Sequence, residues 1–421
     1  MTTDSFGNPI DPTVGYTRGR ILSSSADEVR RLRNAQQVAA AVVAERGVDS
    51  IGVFTGNART FPLSPEDMEL AEEWVGPGRF ADRLQAVAVE HLGGRADDAA
   101  IVVNRTSGGI VAAISALADD RPVVSFVPRG DRSHTSVVRG CALAGVALVE
   151  VDDPSAVEPA LEDHRPALLV ITTVTSTLAR LDDADTQAAV EAAQGHGAAT
   201  FMDEAYGARF RPVLHGGRKS LELGADVAIT NTDKAGLSGP RGGVIVGRTE
   251  AVLAVLARAS ELGIEARAPI ALGAVRSLES FDPKLLHDEV DDGRAVADAL
   301  VAKLGPNGIV RTELGPSIGE DEIMQAVLDR RDGMTLDLVP AEVTAAVGML
   351  LLRKQGVLTV NTHGQPGGRV SLRLKPTTGA VDVVGGPDAL ADAVDDALAE
   401  VAARGDDIDW VRHLVLGPEG A

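Results

Sequence analysis

Lys234 is one of six lysines in a chain whose other basic residues are all arginine. It follows the apolar run Val227-Ala228-Ile229 and the polar Asn231-Thr232-Asp233, and precedes a glycine-rich turn, Gly236 to Gly243. Lysine is the basic side chain that can shed its proton and attack a carbonyl carbon. Taken alone, this one reads equally well as a solvated loop residue. Asp203 closes another apolar run, Ala199 to Met202. A carboxylate buried there needs a cationic partner, whereas an exposed one would simply cap a helix. His134, in Ser133-His134-Thr135-Ser136, can stack on a flat ring, move a proton or cap a helix. Thr172 to Thr177 is almost entirely hydroxyl-bearing. In Asn104-Arg105-Thr106-Ser107-Gly108-Gly109, small residues open a helix, whose exposed N–H groups and positive dipole end suit a phosphate. Ser107 as a plain N-cap explains the same residues. Neither GxGxxG nor GxxxxGK[ST] is present there, so a dinucleotide fold or P-loop is not indicated.

The elements carrying these residues alternate. Apolar runs at 100–103, 123–127, 146–151, 167–171, 199–202 and 227–229 read as strands. Ala-rich helical stretches at 110–118, 135–144, 159–163 and 184–194 separate them. Continuous apolar strands between helices predict an α/β fold with a mainly parallel sheet covered on both faces, its ligands beyond the strand carboxyl ends. Upstream, residues 1–24 read as an extended arm and 25–46 as a helix, with a further helix expected after Ser64-Pro65-Glu66. Beyond 248, helices at 250–262, 270–279, 285–304, 342–352 and 388–403 and strands at 357–360 and 369–374 predict a smaller α/β domain. The expected division is an N-terminal arm and helix at 1–50, a large domain at 51–265 and a small domain at 266–421.

One cofactor needs a phosphate cradle at a helix N-terminus, a flat group against its ring, a carboxylate on its ring nitrogen and a lysine for a Schiff base. That cofactor is pyridoxal 5'-phosphate. The strand ends present these groups in the order phosphate turn, ring stacker, aspartate, lysine.

Asp203-Glu204-Ala205, and Asp233-Lys234 followed by Gly239-Pro240-Arg241-Gly242-Gly243, resemble the motifs of fold type I pyridoxal-phosphate enzymes, the aspartate-aminotransferase-like superfamily. Within it they are most similar to selenocysteine synthase (L-seryl-tRNA selenium transferase)-like proteins. The resemblance implies that Lys234 binds the cofactor, that Asp203 holds the proton on the pyridine nitrogen and that His134 stacks on the ring. It places Ser107, Gly108 and Gly109 on the phosphate, Ala205 on the opposite ring face and Thr175 or Ser176 near the ring hydroxyl. An arginine from the small domain would hold the substrate carboxylate, with Arg373 and Arg369 as candidates. One such group, the capuramycin-pathway monooxygenase-decarboxylases, uses O2 to convert the nucleoside amino acid glycyluridine into a carboxamide for antibiotic biosynthesis, and this chain resembles it in size and motifs. The alternatives are β-replacement or elimination on a seryl or phosphoseryl substrate, and a non-catalytic protein that keeps the fold. The family also implies a homodimer or higher homo-oligomer.

The chain has 421 residues, a net charge of −21 and only 3% aromatic residues. That length holds two domains, with a core mostly of Ala, Val and Leu. The acidity and the lack of a basic cluster argue against nucleic acid and anionic membranes as partners, and favour a small-molecule amino-acid substrate over tRNA. One cysteine, Cys141, excludes an internal disulfide and a cysteine-based metal site, and no metal is expected. No signal peptide or membrane-length apolar run is apparent, so a cytoplasmic protein is expected.

Overall fold

The computed structural model describes residues 2–331, 334–364, 366–368 and 370–418. The chain divides into two compact units, residues 57–286 and the combined segments 1–56 and 287–421.

The first unit is a seven-stranded sheet with helices. Its strands are β1 (Asp98–Val103), β2 (Val123–Phe126), β3 (Leu148–Val151), β4 (Leu168–Thr172), β5 (Ala199–Asp203), β6 (Val227–Asn231) and β7 (Gly243–Arg248). They lie in the order β1-β7-β6-β5-β4-β2-β3, all parallel except β7, which runs antiparallel to both neighbours. The helices are α1 (Gly76–Leu92), α2 (Thr106–Leu117), α3 (Thr135–Ala144), α4 (Val157–His164), α5 (Asp183–Gly195), α6 (Gly207–His215), α7 (Thr249–Glu261) and α8 (Ala268–Glu279). Strands β2, β4 and β6 are buried along their whole length, which explains their unbroken apolar sequences. Successive residues alternate between two cores. Leu169, Ile171, Met202 and Ala228 join one with α1 and α8, while Leu168, Val170, Phe201 and Ile229 join the other with α2 and α7. Residues 266–286, expected beyond the domain boundary, are part of this unit because α8 buries Ala271, Leu272, Ala274 and Val275 in the first core.

The helix expected after Ser64 is a single 3-10 turn, Pro65–Glu69. The Asp67 carboxylate there accepts from the Ser64 amide and is held by Arg276, which fixes a tight turn in place of a longer helix.

The second unit centres on the helix Pro340–Gln355, nearly all of it buried, packed by the helices Ser25–Arg46 and Pro387–Arg404. The strand expected at 357–360 stops at Leu358, and Val360 starts a short helix. Of the strand expected at 369–374, Leu372–Arg373 forms a strand, and residue 369 lies outside the described residues. The arm is tied down: the amides of Ile21 and Leu22 both donate to the buried Glu342 carboxylate. Among the described residues, no helix is long and apolar enough to cross a membrane.

Candidate active site

Strand register brings the chemistry to one end of the sheet. Asp203 at the end of β5 pairs with Ile229 of β6, and Gly243 of β7 lies between Asn231 of β6 and Val103 of β1. The loops leaving β1, β5 and β6 therefore emerge side by side.

Asp203 is fully enclosed. Burial pushes its carboxyl up to about 6, and the charge of neighbouring Glu204 adds to this. The Ala205 amide, 3.3 Å from Oδ1, and the charge of Lys234 work the other way. A carboxylate in this setting favours a proton between itself and a basic group. Lys234 is half-buried, with its Nζ 4.7 Å from the centroid of the buried Tyr206 ring.

The backbone around Lys234 is clamped. The Thr232 carbonyl accepts from the Gly239 amide at 2.8 Å and from Ser277 Oγ at 2.9 Å. Asp233, 1% exposed, receives Asn57 Nδ2 at 2.8 Å and Arg241 Nε at 3.2 Å. Ala235 and Gly236 take positive φ of 52° and 81° to turn the chain back into β7. At Gly239 a Cβ would stand 2.3 Å from the Thr60 carbonyl, so this glycine serves close backbone packing.

At the end of β1 the structure revises the expected cradle. Arg105, not Ser107, is the N-cap of α2, and no side chain caps the helix. The first amide bonded within the helix is Gly109, which donates to the Arg105 carbonyl at 3.0 Å. The N–H groups of Thr106, Ser107 and Gly108 thus head the helix, as an anion requires, and Gly109 does not join them. Gly109 is needed for packing instead, since a Cβ there would lie 2.4 Å from Ile229. A Cβ on Gly243 would come within 2.9 Å of the Thr106 amide nitrogen and close off that end of the helix. Burial lowers the affinity of Arg105 for its proton, and nearby Arg241 lowers it further, against Asp233. Two guanidinium groups near Asp233 and three amides at the head of α2 make a donor set that fits a phosphate dianion.

His134 ends up exposed, as the N-cap of α3. Its Nδ1 accepts from the Ser136 amide at 3.2 Å and meets Ser136 Oγ at 2.8 Å. It sits after β2, which β4 separates from β5. Thr175 is buried, and its hydroxyl donates to Asp131 at 2.5 Å, so it braces the loop after β2. Ser176 and Ala205 are half-buried. Arg373 belongs to the other unit, half-buried on the strand Leu372–Arg373. Arg369 lies outside the described residues.

Five residues near this site went unassigned in the sequence. Tyr206 directly follows Ala205 and is one of only two tyrosines, which is the one signal the sequence offers for it. Arg105 and Arg241 each stand inside a glycine-containing turn, where the glycines draw the attention. Arg209 and Arg211 gave no signal, because arginines on a short helix ordinarily face water. Here both are buried, at 1% and 2% exposure.

The family model for class I and II aminotransferases matches residues 78–313, more than half of the chain. The chain belongs to the class I and II aminotransferase family. A UPF0425 pyridoxal phosphate-dependent protein of Methanothermobacter thermautotrophicus is 32% identical to this family member over 404 residues, covering 94% of this chain and 100% of the relative. A second UPF0425 pyridoxal phosphate-dependent protein, from Methanosphaera stadtmanae, is 29% identical over 84% of this chain and 89% of its own length. Among solved structures, N-succinyldiaminopimelate aminotransferase of Mycobacterium tuberculosis superposes with a TM-score of 0.54 at 18% identity, covering 89% of this chain and 98% of its own. Alanine–glyoxylate aminotransferase of Nostoc sp. gives 0.52 at 15%, covering 83% and 94%. Both share the fold of this aminotransferase family member, as the sequence led one to expect.

Proposed function

We propose that this protein is a pyridoxal phosphate-dependent enzyme acting at Cα of a small-molecule α-amino acid. The observation that carries the reading is a buried carboxyl, Asp203, set beside Lys234 at adjacent strand ends. When bound, pyridoxal phosphate supplies an electron sink for charge that develops at Cα. Lys234 would hold the cofactor and move the proton at Cα. Asp203 would hold the proton on the ring nitrogen. The amides of Thr106, Ser107 and Gly108, with Arg105 and Arg241, would hold the phosphate. His134 and Ala205 would take the ring faces, Ser176 the ring hydroxyl and Arg373 the substrate carboxylate. A homodimer is the proposed working form.

The finer reading is an O2-using monooxygenase-decarboxylase, of the kind serving nucleoside antibiotic biosynthesis. Its net reaction balances as amino acid plus O2 giving carboxamide, CO2 and water. Its support is the motif likeness together with the −21 charge, which disfavours a seryl-tRNA substrate. Both levels are tested by screening amino acids, nucleoside amino acids included, with an oxygen electrode and mass spectrometry. Consumption of an amino acid with oxygen uptake and a carboxamide product is expected. Turnover undiminished under anaerobic conditions overturns the oxygenase reading alone. A purified protein that takes up no pyridoxal phosphate overturns the whole.

A further inference from the structure

Arg209, in the first turn of α6, is among the largest fully buried side chains of the described residues. Its guanidinium reaches four groups. Nη1 donates to Thr230 Oγ1 at 2.9 Å and meets His91 Nε2 at 3.1 Å. Nη2 donates to Asn231 Oδ1 at 2.9 Å and to the Ala205 carbonyl at 3.1 Å. The acceptors lie on three separate pieces of chain: α1, the end of β6, and the loop after β5.

These contacts close into rings. Asn231 Nδ2 donates to the same Ala205 carbonyl at 2.8 Å, and Thr230 Oγ1 donates to the Glu204 carbonyl at 2.9 Å. The loop carrying Asp203 and the strand end leading to Lys234 are thereby cross-linked at two successive peptides. The Glu204–Ala205 peptide links this brace to the chemistry: its carbonyl is held by Thr230 Oγ1, which Arg209 holds in turn, and its N–H donates to Asp203 Oδ1. A shift of that peptide moves a hydrogen-bond donor on the Asp203 carboxylate. The fork geometry matters here: a planar guanidinium serves several acceptors in fixed directions, and an ammonium does not. His91 suits the arrangement, since burial above all, helped by Arg209 and Lys219, holds its proton affinity down to about 3. It therefore faces Arg209 as a neutral acceptor, its ring set edge-on to Phe281 at 5.3 Å.

We propose that Arg209 is a positioning residue that locks the Asp203-Glu204-Ala205 loop to the strand end preceding Lys234, and so fixes the proton balance between Asp203 and the cofactor. This rests on the function proposed above. The charges of Lys234 and Glu204 also bear on Asp203. The hydrogen bonds through Thr230 and the Ala205 carbonyl give a change made at Arg209 a route to Asp203 through the backbone.

The test uses the full-length protein loaded with pyridoxal phosphate. The absorbance band of the lysine-bound cofactor is titrated against pH in the wild type, Arg209→Lys, Arg209→Gln and Asn231→Ala. Cofactor affinity is measured alongside by equilibrium titration of the cofactor-free proteins. The expected result is a midpoint displaced in one direction by about half a pH unit or more in all three variants, with affinity roughly 10-fold weaker. The double variant Asn231→Ala/Arg209→Lys should be displaced no further than the larger single effect, because the two side chains act as one brace. Should Arg209→Gln fail to fold, Asn231→Ala decides, since it removes one partner and leaves the guanidinium its other three. A midpoint and affinity unchanged in Asn231→Ala and Arg209→Lys overturn the proposal. A wild type with no such band marks failure of the proposed function instead, whereas a titrating wild type with unmoved variants marks failure of the Arg209 assignment alone.

Discussion

The two ends of the candidate cofactor site are built on opposite principles. At the ring-nitrogen end, Asp203 is enclosed and its loop is braced on both sides. Arg209 ties it to β6, and Glu204 accepts from Thr173 and Arg211 while Arg211 also holds Asp183. At the phosphate end, Arg105 is half-buried, Arg241 has 47% of its side chain exposed and the helix start has no side-chain cap. A proton to be kept on a weakly basic ring nitrogen needs a carboxylate of controlled affinity, which requires exclusion of water. A dianion needs many donors and tolerates water beside them. Rigidity is concentrated where proton affinity is set, and positive charge where anionic charge is held.

Substitutions at the two ends should therefore fail in different ways. The largest effect is expected at Asp203. Asp203→Asn should lower turnover by roughly 100- to 1000-fold, the scale of losing one preorganised electrostatic group. The same change should stabilise the cofactor-free protein at high pH. The folded-state carboxyl, pushed up to about 6, lies above the ordinary aspartate value of 3.8. The wild type's advantage from a protonated Asp203 is thus complete below about 3.8 and lost as pH rises through about 6. The difference is on the order of 3 kcal/mol, so the melting temperature of Asp203→Asn should exceed the wild type's at pH 8 and match it near pH 4. Equal melting temperatures at pH 8 would show that Asp203 is not desolvated.

Next in size is the brace. Glu204 and Arg211 are 0% and 2% exposed, so removing one charge strands the other. Arg211→Met should cost about 3–5 kcal/mol of stability by chemical denaturation, with little dependence on salt. The smallest effect is expected at the open end. Arg105→Ala should weaken cofactor affinity by roughly 10-fold while leaving melting of the cofactor-free protein within about 1 kcal/mol. That loss should shrink as ionic strength rises. If instead Arg105→Ala unfolds the protein and Arg211→Met does not, the contrast between the two ends is wrong.

Much of this was legible in the sequence for a simple reason. A buried parallel strand is apolar throughout, so the first polar residue after it marks the end where ligands bind. Asp203 stands at such a transition, and Lys234 follows the polar run Thr230 to Asp233 that ends the next strand, so both are marked by the pattern. Side-chain partners distant in the sequence could not. Thr175 is claimed by Asp131, 44 residues away, and Arg209 by His91, 118 away. Nor does residue type settle backbone geometry. Ser107 is a favoured capping residue, yet α2 starts one residue before it, and Gly109 spends its amide inside the helix. The boundary expected near 265 differs from the observed division because α8, an apolar helix, packs Ala271, Leu272, Ala274 and Val275 into the first unit's core, and helical spacing alone does not say which core a helix joins.

The central claim is that Lys234 carries the cofactor. Its most direct measurement is to load the full-length protein with pyridoxal phosphate, reduce with borohydride, digest, and locate the added mass. The account predicts a phosphopyridoxyl adduct on the peptide containing Lys234, absent in Lys234→Ala. An adduct confined to another of the six lysines, or none, would contradict it.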